Sequence, residues 1–200
     1  MPTQLVPGED DTSAVMACIG YVCVQWSMLE QTILNFIGVV EKMQPEECYI
    51  AFGTLDIRPR LNMAIKLARY HNVKVSLIVR LEKIRKTIKV KKLDDRRNQA
   101  VHGVHSDSEK AMHVKLTMVR WAGDKREQDV AVRDILELGN ELNALANEAH
   151  CIFLDYGAWK FGDHMVPDAY RQVLKTKPSP FFKLNQLVNT CRNHVAGWFN

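Results

Sequence analysis

At 200 residues, with 46% apolar and 25% charged side chains, the chain has the length and composition of one ordinary globular domain, or of one core with an appendage, and wholesale disorder is excluded. The apolar stretches around Val15 to Val24 and Ile33 to Val40 are broken by Gly20, Gln25, Glu30 and Gln31 before either reaches the roughly 20 uninterrupted apolar residues of a membrane span, so no membrane partner is expected. The net charge of +4 is unevenly spread: residues 58–97 hold fourteen Lys and Arg against three acids, and residues 1–57 hold one Lys against eight acids. A stretch this basic suits an anionic partner such as a nucleic-acid backbone, and a solvated helix face neutralised by the acidic N-terminal segment accounts for it equally well.

Residues 1–11 are acidic, lack the basic start of a signal peptide and read as a flexible N-terminus, so a cytoplasmic location is expected. From Val15 to Val40, apolar residues recur at three- and four-residue spacing (Val15, Cys18, Ile19, Val22, Trp26, Leu29, Ile33, Phe36, Ile37, Val40), which predicts one long amphipathic helix stopping near Met43, before Pro45. A short helix or turn around Glu46 to Gly53 follows. Ile57, Leu61, Ala64, Ile65 and Ala68 then predict a second helix ending at Tyr70-His71-Asn72.

Leu77, Leu81, Ile84 and Ile88 predict a third helix whose outer face is basic through Arg80, Lys83, Arg85, Lys86 and Lys89. The periodicity blurs at Val90 to Leu93, so a kink is expected before a last stretch, Asp94 to His102, closed by Gly103 as a C-terminal glycine. His113 to Trp121 alternates as a strand, Ala122 to Lys125 is a turn, and Gln128 to Val132 reads as the returning strand of a small β-hairpin at about 113–132. Ile135, Leu138, Leu142, Leu145, Ala149 and Ile152 predict a fourth long helix from about Val132 to Phe153. Beyond Asp155 the chain is rich in Gly, Pro and aromatics, and residues 156–200 read as an extension in which only Phe181 to Val195 looks helical.

The five cysteines, Cys18, Cys23, Cys48, Cys151 and Cys191, form no C-x-x-C pair and read as buried free thiols of a reducing compartment. His105 and His113 lack the Cys or carboxylate partners of a four-ligand zinc site, and the sequence contains no P-loop, G-x-G-x-x-G or H-E-x-x-H, so no metal or cofactor is expected. His150 and Cys151 are adjacent and point to different helix faces, which is no basis for a cysteine nucleophile. Asp94 and Asp95 are expected to pair with Arg or Lys at helical spacing.

The segment Asp95-Arg96-Arg97-Asn98-Gln99-Ala100-Val101-His102-Gly103 carries the chemistry. Arginine's planar fork grips two phosphate oxygens at once, and histidine serves as acid or base near neutrality, the groups needed to cleave RNA without a metal. Asn98 and His102, four residues apart, share a helical face, so that the amide can orient the imidazole or hold a phosphate oxygen. Arg97 and His102 lie about 140° apart around an ideal helix, so only a long side chain or a frayed last turn joins them. A plainer account of the same residues leaves Arg97 and Asn98 solvated and has His102 donating to carbonyls near the helix end.

This segment resembles the Arg-Asn-x-x-x-His form of the R-x4-6-H signature of the HEPN superfamily, and its position after a long first helix containing Trp26, Leu29 and Glu30 is similar to that family over roughly residues 12–153. The resemblance implies a mainly α fold, a HEPN-like helical bundle of four or more helices spanning 12–155 with the hairpin inserted. It implies a homodimer with motifs facing each other, and metal-independent endoribonuclease activity in which Arg97, Asn98 and His102 are catalytic and Glu30 or Arg96 gives support. Members often act as toxins or in antiviral defence, so a protein inhibitor or antitoxin is an implied partner. RNA is expected to be held by the basic face. Other members are non-catalytic modules that bind a nucleotide, nucleic acid or a partner nucleotidyltransferase.

Overall fold

A computed structural model of the chain describes residues 9–107, 113–119 and 125–162. The chain divides into two units, Met1–Tyr156 and Gly157–Asn200. The described part of the second, residues 157–162, is helical to Phe161. The expected helix at Phe181 to Val195, the turn at Ala122 to Asp124 and the strand end at Trp121 lie outside the described residues.

The first unit is a mainly helical bundle with a small antiparallel sheet inserted before its last helix. In order come α1 (Glu9–Glu41), α2 (Pro45–Phe52), α3 (Ile57–Tyr70), α4 (Val75–Lys91), α5 (Leu93–His102), β1 (Val104–Asp107), β2 (His113–Val119), β3 (Lys125–Ala131) and α6 (Val132–Phe161). The apolar stripe of α1 is the backbone of the core: Val22, Leu29, Ile33, Phe36 and Ile37 are almost wholly buried, and they cluster with Leu61, Leu81, Ile84, Ile88 and Leu142 from the other helices. Each such side chain contributes about 1.5–3 kcal/mol by leaving water. By length and composition α1 would also cross a membrane, but its apolar face packs on α3, α5 and α2.

The helices end where the sequence offers a stop. Lys42 and Asn72 take left-handed φ of 57° and 53°, and the next amide in each case reaches back five residues, Met43 to the Gly38 carbonyl at 2.9 Å and Val73 to the Ala68 carbonyl at 2.8 Å. Pro45 opens α2, where its missing N–H is no loss, and the Gln44 amide donates to Glu47 Oε2 at 2.9 Å. Arg60, 5% exposed, ties the α2–α3 connection to α1: Nη2 donates to the carbonyls of Gly53 (2.8 Å) and Leu55 (2.6 Å), and Nη1 to that of Glu30 (3.2 Å).

The expected kink between the third helix and the motif is a sharp break at Lys92, in the left-handed region at φ 50°, ψ 43°. Gly103 closes α5 as expected, in an extended conformation (φ −70°, ψ 147°). Glycine is needed there for room, since a Cβ would stand 2.3 Å from Leu116 Cδ1. The same holds at Gly139 of α6, where a Cβ would stand 2.4 Å from the Tyr21 ring.

The sheet has three strands, not the two of a hairpin, in the order β1-β2-β3 with both pairs antiparallel. The missed strand, Val-His-Ser-Asp, is too short and polar to alternate visibly, and it forms because Gly103 turns the chain straight out of α5 so that Val104 pairs with Thr117. β3 begins at Lys125 rather than Gln128, and α6 runs on to Phe161 rather than Phe153. One face of the sheet is polar, with Lys115 Nζ 2.8 Å from Glu127 Oε2, while Leu116 is buried on the other.

Candidate functional site

Two ion pairs to distant stretches of chain fix how α5 is rotated in the bundle. At its start Asp94 pairs with Arg58 of α3 at 2.6 Å, a partner 36 residues away and not the helical neighbour expected. Arg96 pairs with Glu141 of α6 at 3.2 Å, and Lys91 of α4 reaches the same carboxylate at 3.4 Å. Successive residues turn by about 100°, so Arg96 points away from Asp94, and Arg97, Asn98 and His102 share an arc of about 140° on the Asp94 side of the helix. Asp94 and Asp95 in the first turn also match the helix dipole.

Arg97 is the centre of the site. Its Nη1 donates to Asn98 Oδ1 at 2.9 Å and lies 3.2 Å from His102 Nε2. Its Cζ stands 5.7 Å from the centroid of the Trp26 ring, so the guanidinium lies against an indole that is itself only 5% exposed. Such a cation–π contact is worth about 0.5–2 kcal/mol, and it helps offset the burial of Arg97 Nε, which makes no hydrogen bond. A guanidinium has no acceptor, so the contact with His102 needs Nε2 unprotonated; that assignment makes the imidazole neutral with its proton on Nδ1.

The long arginine side chain therefore joins two positions that helix geometry sets apart, and the plainer account, with Arg97 solvated and His102 on carbonyls, is not what forms. Asn98 does not touch His102; both bond to Arg97 instead. Asn98 and His102 are exposed and Arg97 is half-buried, so the group faces solvent.

The supporting residues divide. Arg96, held by Glu141, is turned from the group, which leaves Arg97 as its one arginine. Glu30 is half-buried and its carboxylate contacts neither Arg97 nor His102; only its main-chain carbonyl is used, by Arg60.

Of the basic face, Lys83, Lys86 and Lys89 are exposed and form no ion pair among the described residues, and Arg85 donates to Asn62 at 2.9 Å. Arg80 differs from the other four. It is half-buried and clamps α4 to α6, its Nε donating to Glu148 at 2.7 Å and its Nη1 to Asp155. Those two carboxylates raise its pKa, and the hydrogen bond from Arg80 holds the Glu148 carboxyl below the ordinary carboxylate value.

Trp26, expected only as part of the buried stripe and of the resemblance, is the platform for Arg97. The signal available was an aromatic on the face of α1 that meets the motif helix. His105 was set aside with the zinc ligands, and its Nε2 instead donates to the Ala100 carbonyl at 2.9 Å, closing the end of α5. Among the described residues no group of three or more His, Cys, Asp or Glu converges. Of the cysteines, Cys18 and Cys48 are buried and Cys23 half-buried, but Cys151 is exposed, contrary to the expectation, and Cys191 lies outside the described residues.

No protein-family model matches the chain, and no curated protein and no solved structure matches it. What defines its class is the architecture itself, among the described residues a bundle of six helices with a three-stranded antiparallel insertion.

Proposed function

We propose that the chain is a metal-independent endoribonuclease of HEPN type. The observation that carries this reading is the Arg97 guanidinium, backed by Trp26 and bridging Asn98 and His102 on an exposed helix end. In the proposed reaction a ribose 2′-oxygen attacks the adjacent phosphorus while its proton passes to a base. The bond from phosphorus to the 5′-oxygen then breaks as an acid protonates that oxygen, leaving a 2′,3′-cyclic phosphate and a 5′-hydroxyl.

His102 takes the base role when its Nε2 is released from Arg97 to the 2′-hydroxyl, and Arg97 is suited to the charge that develops on the phosphate oxygens. Its Nη2 donates to nothing among the described residues and is free for a phosphate oxygen. One imidazole fills one of the two proton-transfer roles, which is the mechanistic argument for a two-fold homodimer that brings a second His102 opposite the first. Lys83, Lys86 and Lys89 would hold the RNA backbone without reading bases. A role as a toxin or defence effector held by an inhibitor protein belongs to the same proposal.

The test is a labelled RNA incubated with wild type, His102→Ala and wild type in excess EDTA, with the product termini identified. The proposal expects cyclic-phosphate ends from wild type in both conditions and a loss of about 10²–10⁴-fold in His102→Ala, with its fold kept because the side chain is exposed. Full activity in that variant would eliminate the mechanism. RNA binding without cleavage by wild type would favour the non-catalytic module, for which the exposed lysines of α4 already speak.

A further inference from the structure

We infer that the chain self-associates head to tail, with the outer face of α4 of one copy seated in the groove between α1 and α2 of the next. The two halves of this contact are both among the described residues, on different parts of the molecule. The proposal is independent of the ribonuclease reading.

The receiving half is a groove of about 640 Å³ walled by Leu34 and Val39 of α1, Met43, Ile50 of α2 and Phe153 of α6. Its rim leaves large apolar surface in water: Ile50 is 80% and Tyr49 63% exposed. Exposed apolar groups clustered at a groove mark a contact surface. The charged side chain in the lining is Glu46, and Glu47 follows it in the first turn of α2. The occupant this groove fits is a helix that is apolar along one stripe and basic beside it.

The outer face of α4 has that chemistry. Val75, Val79, Lys86 and Val90 follow one another at spacings of four, seven and four, which puts them in one stripe of the helix, with Lys83 and Lys89 flanking. The valines are 72%, 55% and 68% exposed, and a run of exposed β-branched residues interleaved with lysine is more than RNA backbone contact requires. The segment that bears this face, residues 58–97, holds fourteen basic residues against three acids, opposite in sign to the segment that bears the groove.

Because groove and stripe are different surfaces, the contact is heterologous: each copy keeps an unused groove at one end and an unused stripe at the other, and the assembly grows with concentration. RNA and a second copy then compete for Lys83, Lys86 and Lys89, so RNA would disperse the assembly.

The test is sedimentation velocity of the full chain across a concentration series, with Ile50→Asp to spoil the groove and Val79→Asp to spoil the stripe. Both sites are exposed, so each variant should fold, and circular dichroism checks it. Expected are wild-type species that grow with concentration and shrink with added salt, and an apparent dissociation constant at least about tenfold weaker in either variant alone. The decisive arm is the equimolar mixture of the two variants, which should regain a complex neither forms alone, because each retains the half the other lacks. Wild type that does not grow at high micromolar concentration would overturn the proposal, as would either variant associating like wild type. A mixture no larger than its components would show a self-complementary contact and overturn it too. A two-fold dimer formed elsewhere would survive both substitutions and set only the starting mass, and RNA cleavage would report on the ribonuclease reading separately.

Discussion

Arg97 and His102 are joined through a single guanidinium nitrogen, 3.2 Å from the imidazole Nε2, although five residues of helix point them well apart. The same nitrogen holds Asn98, and the Trp26 ring lies behind the guanidinium plane. A flat cation with several donors can do all three at once, and a lysine ammonium cannot stack or fork in this way. Arg97→Lys should therefore keep most of the RNA affinity and lower single-turnover cleavage by about a hundredfold. Cleavage at the wild-type rate would show that only the charge at this position counts.

Gln25 is completely buried on α1, and neither atom of its amide finds a hydrogen-bond partner among the described residues. An amide in that state loses its water without replacement, whereas methionine has nearly the same length and no polar group to satisfy. Gln25→Met is expected to raise the unfolding free energy by about 1–2 kcal/mol in urea denaturation. A destabilised variant would mean that the amide is paired in solution.

Glu148 links acid stability to the clamp between α4 and α6. Its carboxyl is held below the ordinary carboxylate range, first by the hydrogen bond from Arg80 and then by the charges of Arg80 and Lys83, against the opposing effect of burial. A depressed carboxyl stabilises the fold above its unfolded value, and the contribution is lost as pH falls through the lower folded value. The pair is partly solvated, so the contribution is at most about 1 kcal/mol. Melting temperatures of wild type and Glu148→Gln should differ most near neutrality and converge in acid. A gap independent of pH would assign the effect to packing.

Thiol reactivity should separate the cysteines by position. Burial pushes the Cys18 thiol up to about 11 and raises that of Cys48, whose Sγ also donates to the Leu34 carbonyl at 3.3 Å, while Cys151 is exposed. The thiolate is the reactive form. Iodoacetamide at pH 8 followed by peptide mapping should find Cys151 modified early, and Cys18 and Cys48 only after denaturation. Early modification of Cys18 would show that α1 opens readily at its N-terminal end.

The sequence alone determined the helices and the identity of the candidate motif, because both are local: Val15 to Val40 and Leu77 to Ile88 repeat with the period of the helix they form, and Arg97, Asn98 and His102 sit within one and a half turns. Pro45 and the blurred stretch before Asp94 likewise announced their breaks through nearby residues. Short polar elements carry no such period, so β1 was invisible until Gly103 and Leu116 met, and the turn at Lys92 needed an αL residue whose type gives no warning. Tertiary structure decided which basic residues are free. Arg58, Arg80 and Arg96 look like their neighbours in sequence, yet their carboxylates lie 36, 68 or 75, and 45 residues away. It also decided that Arg97 has an aromatic platform, since Trp26 is 71 positions earlier and meets it only because α1 packs on α5. Periodicity reports which side of a helix is buried; which side chain waits on the far side of the contact is set by how the helices pack, and no spacing along the chain records that.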